Sequence, residues 1–141
     1  MDRVIEQQQT MREAEANPPA IAITNLSFSY PDCAQVVQNL DLLVQPGERI
    51  GIVGANGCGK TTFFLLLCGV LTPTTGNVQI FGQIVNPGVF QTQVGLVFQN
   101  PDDQLFSASV WEDVAFAPQN MGLPADEVAQ RVTTSLALTN V

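Results

Sequence analysis

Residues 53–62 read VGANGCGKTT, with the apolar run IGIV (50–53) leading in and the apolar run FFLLLCGVL (63–71) leading out. The spacing Gly54-Ala55-Asn56-Gly57-Cys58-Gly59-Lys60-Thr61-Thr62 satisfies G-x-x-x-x-G-K-[ST], which demands a strand, a glycine-rich turn and a helix in that order. Glycines let successive backbone amides point inward around a phosphate chain. The helix that starts there adds unsatisfied amides and the positive end of its dipole. Lys60 is placed to reach β- and γ-phosphates, and the Thr61 hydroxyl to stand on Mg²⁺. The bland alternative is a chance glycine turn between a strand and a helix. Strand, loop and helix signals in the required order favour the phosphate reading. Lysine usage points the same way: the chain has 13 acids against 5 bases, and Lys60 is its only lysine.

Around this loop the pattern is mixed. AIAITNLSFSY (20–30) alternates as a half-buried strand does, and NLDLLVQPGERIGIVG (39–54) reads as strand, Pro46-Gly47 turn, strand. IGIV has no polar face, as expected for a strand covered on both sides, and VGLVF (94–98) is a second such candidate for a parallel core. A helix apolar all round, and therefore buried, is expected from Lys60 to about Val70. NVQIFGQIV (77–85) suggests a small hairpin. Ser109 and Glu112 have capping-box spacing, with Ser109 bonding the Glu112 amide and Glu112 reaching back, at the head of a helix to about Met121. PADEVAQRVTTSLALTN (124–140) begins another helix, with Pro124 in its first turn. Residues 1–19 read as a mobile or weakly helical leader closed by Asn17-Pro18-Pro19.

Composition removes several classes. A net charge of −8 argues against nucleic acid as a partner, because displacing counterions from phosphate needs a basic stripe. No apolar run approaches the ~20 residues of a membrane span. The N-terminus has no apolar core and does not read as a secretory signal. Cys33, Cys58 and Cys68 have neither metal-ligand spacing nor an even count, which suits a reducing cytosol.

Three stretches, LSFSYPD (26–32), GANGCGKTTFFLLLCGVLTPTTG (54–76) and GLVFQNPDDQLFSASVWEDVAFAPQNMGL (95–123), resemble the N-terminal part of an ABC-type ATPase. Within that superfamily they are similar to the ATP-binding subunits of energy-coupling-factor and cobalt/nickel uptake systems. NPDDQLF followed by EDVAF is the most specific element; Ala117 stands where that subgroup commonly has glycine. The resemblance implies an α/β P-loop NTPase fold, an ABC-type nucleotide-binding domain over residues 20–141. An antiparallel β subdomain would be joined by part of the parallel core and the start of the helical subdomain. It implies ATP and Mg²⁺ as ligands, held by the loop residues 54–62, with Lys60 on the phosphates and Thr61 on the metal. Tyr30 would stack on adenine, and Gln99 would reach Mg²⁺ and the attacking water.

Asp102 and Asp103 read as a solvated turn beside the surface that meets a membrane subunit, Trp111 as packing, and Cys58 as a small residue at a variable position. The implied partners are a second ATP-binding subunit and a transmembrane transporter subunit, at the cytoplasmic face of the membrane. The family's LSGGQ-like signature, its apolar strand ending in Asp-Glu (Walker B) and its switch histidine are not in these 141 residues, and histidine is absent altogether. The expectation is therefore a truncated domain, inactive alone, that grips nucleotide. The alternatives are a split-gene or non-catalytic nucleotide-binding fragment and, less favoured by NPDDQLF, a soluble ABC ATPase outside transport.

Overall fold

The computed structural model describes residues 18–31 and 35–140, apart from the side chain of Pro101. Residues 1–17, which hold nearly all of the expected leader, and Cys33 lie outside the described residues. The chain divides into two compact units, Met1–Val94 and Gly95–Val141.

The first unit is built on a four-stranded antiparallel sheet in the order β2-β1-β3-β4, with β1 Ile21–Ser29, β2 Gln35–Val44, β3 Thr75–Ile80 and β4 Gln83–Ile84. Helix α1, Lys60–Leu67, lays Phe63, Leu66 and Leu67 on a core formed by Ile23, Leu26, Phe28, Val37, Val78, Ile80 and Val85. The β3–β4 hairpin turns through Phe81 and Gly82 with φ of 46° and 76°, the paired positive values that match strand twist in a two-residue turn. Helix α1 ends in a Schellman arrangement, with Val70 N–H donating to the Leu65 carbonyl at 2.9 Å and Gly69 N–H to Leu66 at 3.2 Å.

The alternation of β1 is broken in a way the sequence pattern does not announce. Ile23 is buried and so are Leu26 and Phe28, so the inward face switches from odd to even numbers. Asn25 at φ 48° and Asn39 at φ 44° absorb the switch, and the β1–β2 register shifts between Ile23 and Leu26. Such a bulge re-aims side chains at the cost of ladder bonds, and local polar groups replace them. The Asn25 amide donates to Asp41 Oδ1 at 2.7 Å. The Asn39 amide donates to Ser27 Oγ at 2.9 Å, and that hydroxyl donates to Asn39 Oδ1 at 3.2 Å. On the other flank β3 comes so close that a Cβ on Gly76, at φ 77°, would run into the Thr24 and Asn25 carbonyls.

Two expectations are corrected. Residues 50–53 and 94–98 form no strand, and the antiparallel sheet is the only ladder among the described residues, so the part of the parallel core they were to supply is not assembled. Val53 is 97% exposed and Val97 84%. A uniformly apolar strand is held by neighbours on its edges and layers on its faces. Among the described residues neither run has a ladder partner, on the sheet or on the other run. Helix α1 is likewise buried on one face only: Thr62, Phe63, Leu66 and Leu67 are inside, while Phe64 is exposed. It also stops at Leu67, short of Val70.

The second unit holds a 3₁₀ turn, Pro101–Gln104, then helix α2, Val110–Asn120, and helix α3, Ala125–Thr139. Ala115 of α2 packs with Val128 and Val132 of α3, flanked by Val114, Leu123 and Leu136. Ser109 caps α2 by accepting the Glu112 amide at 3.3 Å, and its hydroxyl donates to the Glu112 carboxylate at 3.0 Å. The reach back thus ends on the hydroxyl of Ser109. Pro124 sits at the N-cap of α3, one residue before its first turn. Trp111, read as packing, is 44% exposed and stands outside the α2–α3 seam, which is built on Ala115, Val128 and Val132.

The Gly76 contact gives a stability prediction. Gly76 and Gly88 have nearly equal left-handed φ values, 77° and 75°, but a Cβ at Gly88 meets nothing within 4 Å. The conformational penalty of alanine cancels between them, so Gly76→Ala is expected to destabilise by about 1–3 kcal/mol more than Gly88→Ala, the range for overpacking. Urea denaturation of both variants checks it.

Candidate phosphate-binding site

The loop of residues 54–59 ends in Gly59, which has φ 97° and forms the N-cap of α1. That left-handed conformation carries a steric penalty for any residue with a Cβ. Space forbids one as well: a Cβ at Gly59 would lie 2.8 Å from Val36 Cγ1 and 3.3 Å from the Val36 carbonyl oxygen. Glycine here lets the loop rest directly on β2. The first helical bond of α1 runs from Phe63 N–H to the Gly59 carbonyl at 2.9 Å, and no side chain caps the helix. The amides of Lys60, Thr61 and Thr62 therefore have no acceptor within the helix, the state in which a first turn receives an anion.

The Lys60 ammonium folds back over the loop. It donates to the Gly54 and Ala55 carbonyls, both at 2.8 Å, and lies 3.8 Å from Cys58 Sγ. The Cys58 amide closes the turn onto Ala55 at 3.3 Å. Between the loop and β2 is a cleft of about 290 Å³, apolar along Val36, Val37 and Leu40 and polar where Cys58 and Lys60 line it. Uncapped amides, a cation on a short tether and a loop with no room for side chains at its base together fit a phosphate chain.

Tyr30 follows β1 and reaches the same helix. Its hydroxyl lies 3.2 Å from Thr62 Oγ1, and its ring makes a T-shaped contact with Phe28, centroids 4.9 Å apart. The sequence placed Tyr30 at the site but gave no sign of this bond or of Val36 as the support of Gly59. Partners of that kind are set by packing across the sheet. Asn56, Gly57 and Thr61 are exposed along the loop and first turn.

Gln99 belongs to the second unit, where it is exposed at a bend. The neighbouring glutamine does the fastening there: Gln104 accepts from the Phe98 amide at 3.3 Å and donates to the Leu96 carbonyl at 3.4 Å. Asp102 and Asp103 are exposed in the 3₁₀ turn, which Asn100 caps, and no group of three or more potential metal-ligating residues occurs among the described residues. Asp113 is held below the usual carboxylate range, chiefly by the Ser107 hydroxyl, with the Ser107 and Phe106 amides adding to it. The one Asp-Glu pair in the chain, Asp126-Glu127, opens helix α3, and Glu127 is bound by Arg131 at 2.7 Å.

A family model described as ABC transporter matches residues 37–141. The chain is similar to a putative ABC transporter ATP-binding protein of Synechocystis, at 53% identity over 124 residues, covering 88% of this chain and 44% of that protein. It is similar to the energy-coupling factor transporter ATP-binding protein EcfA of Methanothermobacter thermautotrophicus, at 49% identity over 121 residues, covering 82% of this chain and 39% of EcfA. Among solved structures it matches cbiO1 of Clostridium perfringens, described as part of the ABC transporter complex cbiONQ. There the TM-score is 0.69 and identity 33%, over 87% of this chain and 51% of that one. The chain thus spans less than half the length of the two curated relatives.

The two described cysteines should report on the loop. Cys58 is exposed, whereas partial burial of Cys68 pushes its thiol above the ordinary value. Less Cys68 is then thiolate at any given pH below that value, and the thiolate is the nucleophile. With iodoacetamide at pH near 8, Cys58 is expected to alkylate faster than Cys68, followed by peptide mass spectrometry. The gap should narrow as pH rises and the Cys68 thiolate fraction catches up.

Proposed function

The chain belongs to the ABC transporter family, and we propose that it is the nucleotide-holding portion of an ATP-binding subunit that powers uptake of a micronutrient, a cobalt or nickel ion or a vitamin. The observation that carries the reading is the start of α1, with its uncapped first turn, Gly59 seated on Val36, and Lys60 the only lysine of the chain. When ATP binds, the Lys60 ammonium exchanges the Gly54 and Ala55 carbonyls for β- and γ-phosphate oxygens. The first-turn amides and the loop of residues 54–62 hold the chain of phosphates, and Tyr30 offers its ring to adenine. Aromatic stacking of that kind is worth about 1–3 kcal/mol per base.

Mg²⁺ would neutralise phosphate charge and be held on this unit by the Thr61 hydroxyl. The names of the similar proteins, EcfA and a part of the cbiONQ complex, support the transport setting. Such a subunit works with a second ATP-binding subunit and a membrane subunit, at the cytoplasmic face. Attachment would run through the membrane subunit; among the described residues no helix is long and apolar enough to cross a membrane. The reading for these residues is nucleotide binding, carried by Lys60 and the uncapped first turn of α1.

Lys60 makes the test direct, since the only other aliphatic amine is the α-amino group. Folded protein is treated with an amine-directed acetylating reagent with and without Mg-ATP, and the products are read peptide by peptide. Modification of Lys60 is expected to slow with Mg-ATP, because phosphates shield it and favour its charged form, while the α-amino group reacts at an unchanged rate. Equal modification of Lys60 at saturating nucleotide would overturn the reading.

A further inference from the structure

The hydrogen bond between Tyr30 and Thr62 joins residues 32 positions apart, one just past the end of β1 and the other in the first turn of α1. Tyr30 is 38% exposed, but both of its supports are buried: Thr62 is 7% exposed and so is Phe28. A tyrosine held at its hydroxyl by one buried group and at its ring by another has both side-chain torsions set, while part of the ring stays open to solvent. The anchor at the hydroxyl is the helix turn whose free amides form the phosphate site.

We propose that Tyr30 is a positioning residue whose hydroxyl, latched to Thr62, fixes the open ring relative to the phosphate-binding turn. The base and the phosphates of one nucleotide are then met at a preset separation. This rests on the nucleotide reading of the site. Its energetic basis is preorganisation: a ring already held in place loses little freedom when a base settles on it. The latch is a neutral hydroxyl–hydroxyl bond, in which either oxygen can donate. It is made or broken without a charge, so its effect should not depend on salt as that of Lys60 does.

A merely structural bond predicts something different. It would lower stability and weaken base-bearing and base-free phosphate ligands alike. A latch that orients the ring acts on the base alone, so removing it lowers the preference for ATP over a ligand with the phosphates and no base.

The experiment is calorimetric titration of the wild-type chain and the Tyr30→Phe, Thr62→Val, Thr62→Ser and double Tyr30→Phe/Thr62→Val variants with Mg-ATP and with magnesium tripolyphosphate. Far-UV circular dichroism first checks that each is folded. Tyr30→Phe keeps the ring and is expected to weaken ATP about three- to tenfold, the effect of one neutral hydrogen bond, and tripolyphosphate clearly less. In the Thr62→Val background the same change should cost no further ATP affinity, since the partner is already gone. Thr62→Ser retains a hydroxyl and should keep most of the preference even if Thr62→Val proves poorly folded. Equal losses of both ligands on Tyr30→Phe, or additive losses in the double variant, overturn the latch while leaving the phosphate grip standing. A wild-type chain that binds neither ligand overturns the nucleotide reading, and the latch with it.

Discussion

The contact between Gly59 and Val36 decides how everything else in the first unit can be arranged. It brings the end of the glycine loop against β2 with no side chain between them, under a φ that only glycine adopts freely. From that point α1 starts with Phe63, Leu66 and Leu67 directed into the sheet core. Its first-turn amides are left without acceptors. One backbone approach thus creates both the buried underside of the helix and the chemically open start of it. A larger residue at 59 would lift the loop from β2, loosen the helix from its core and misplace the amides together.

Charge around the site works locally against a net charge of −8. A polyphosphate approaching this chain is repelled at long range, but at physiological salt that repulsion is screened over about 8 Å. What acts at contact is the Lys60 ammonium and the helix start. Without nucleotide the ammonium is satisfied by the Gly54 and Ala55 carbonyls. Those bonds fold the loop around its own cation, so the loop is shaped before any phosphate arrives. The net gain on binding is the difference between phosphate and carbonyl as acceptors, smaller than the gross strength of either.

The bulge that joins β1, β2 and β3 follows a similar logic. Asn25 and Asn39 adopt positive φ, Ser27 and Asp41 meet the amides that leave the ladder, and Gly76 makes room on the far side. Asparagine tolerates the left-handed region better than most residues, which makes both asparagines intelligible afterwards. Nothing in a period-two reading of AIAITNLSFSY marks the place where the inward face changes parity. The change is dictated by which side chains fit above α1. The two apolar runs, 50–53 and 94–98, teach the opposite lesson: composition suited to a buried strand does not make one where no ladder partner is brought alongside it.

What the sequence determined alone were the features whose cause is local. The order of glycines, Lys60 and Thr61 specifies a loop and a helix start through backbone conformation and charge. Ser109 and Glu112 specify where α2 begins because a cap is made within four residues. Phe81-Gly82 lies between runs short enough to force a tight turn. The tertiary structure decided the rest, because the causes lie far apart in the chain. Val36 is what makes a side chain at Gly59 impossible, and Thr62 is what holds Tyr30. IGIV remains unpaired because no strand of the described residues is brought alongside it. Whether an apolar segment is buried, or an aromatic ring is free or fastened, depends on the neighbours that folding brings to it.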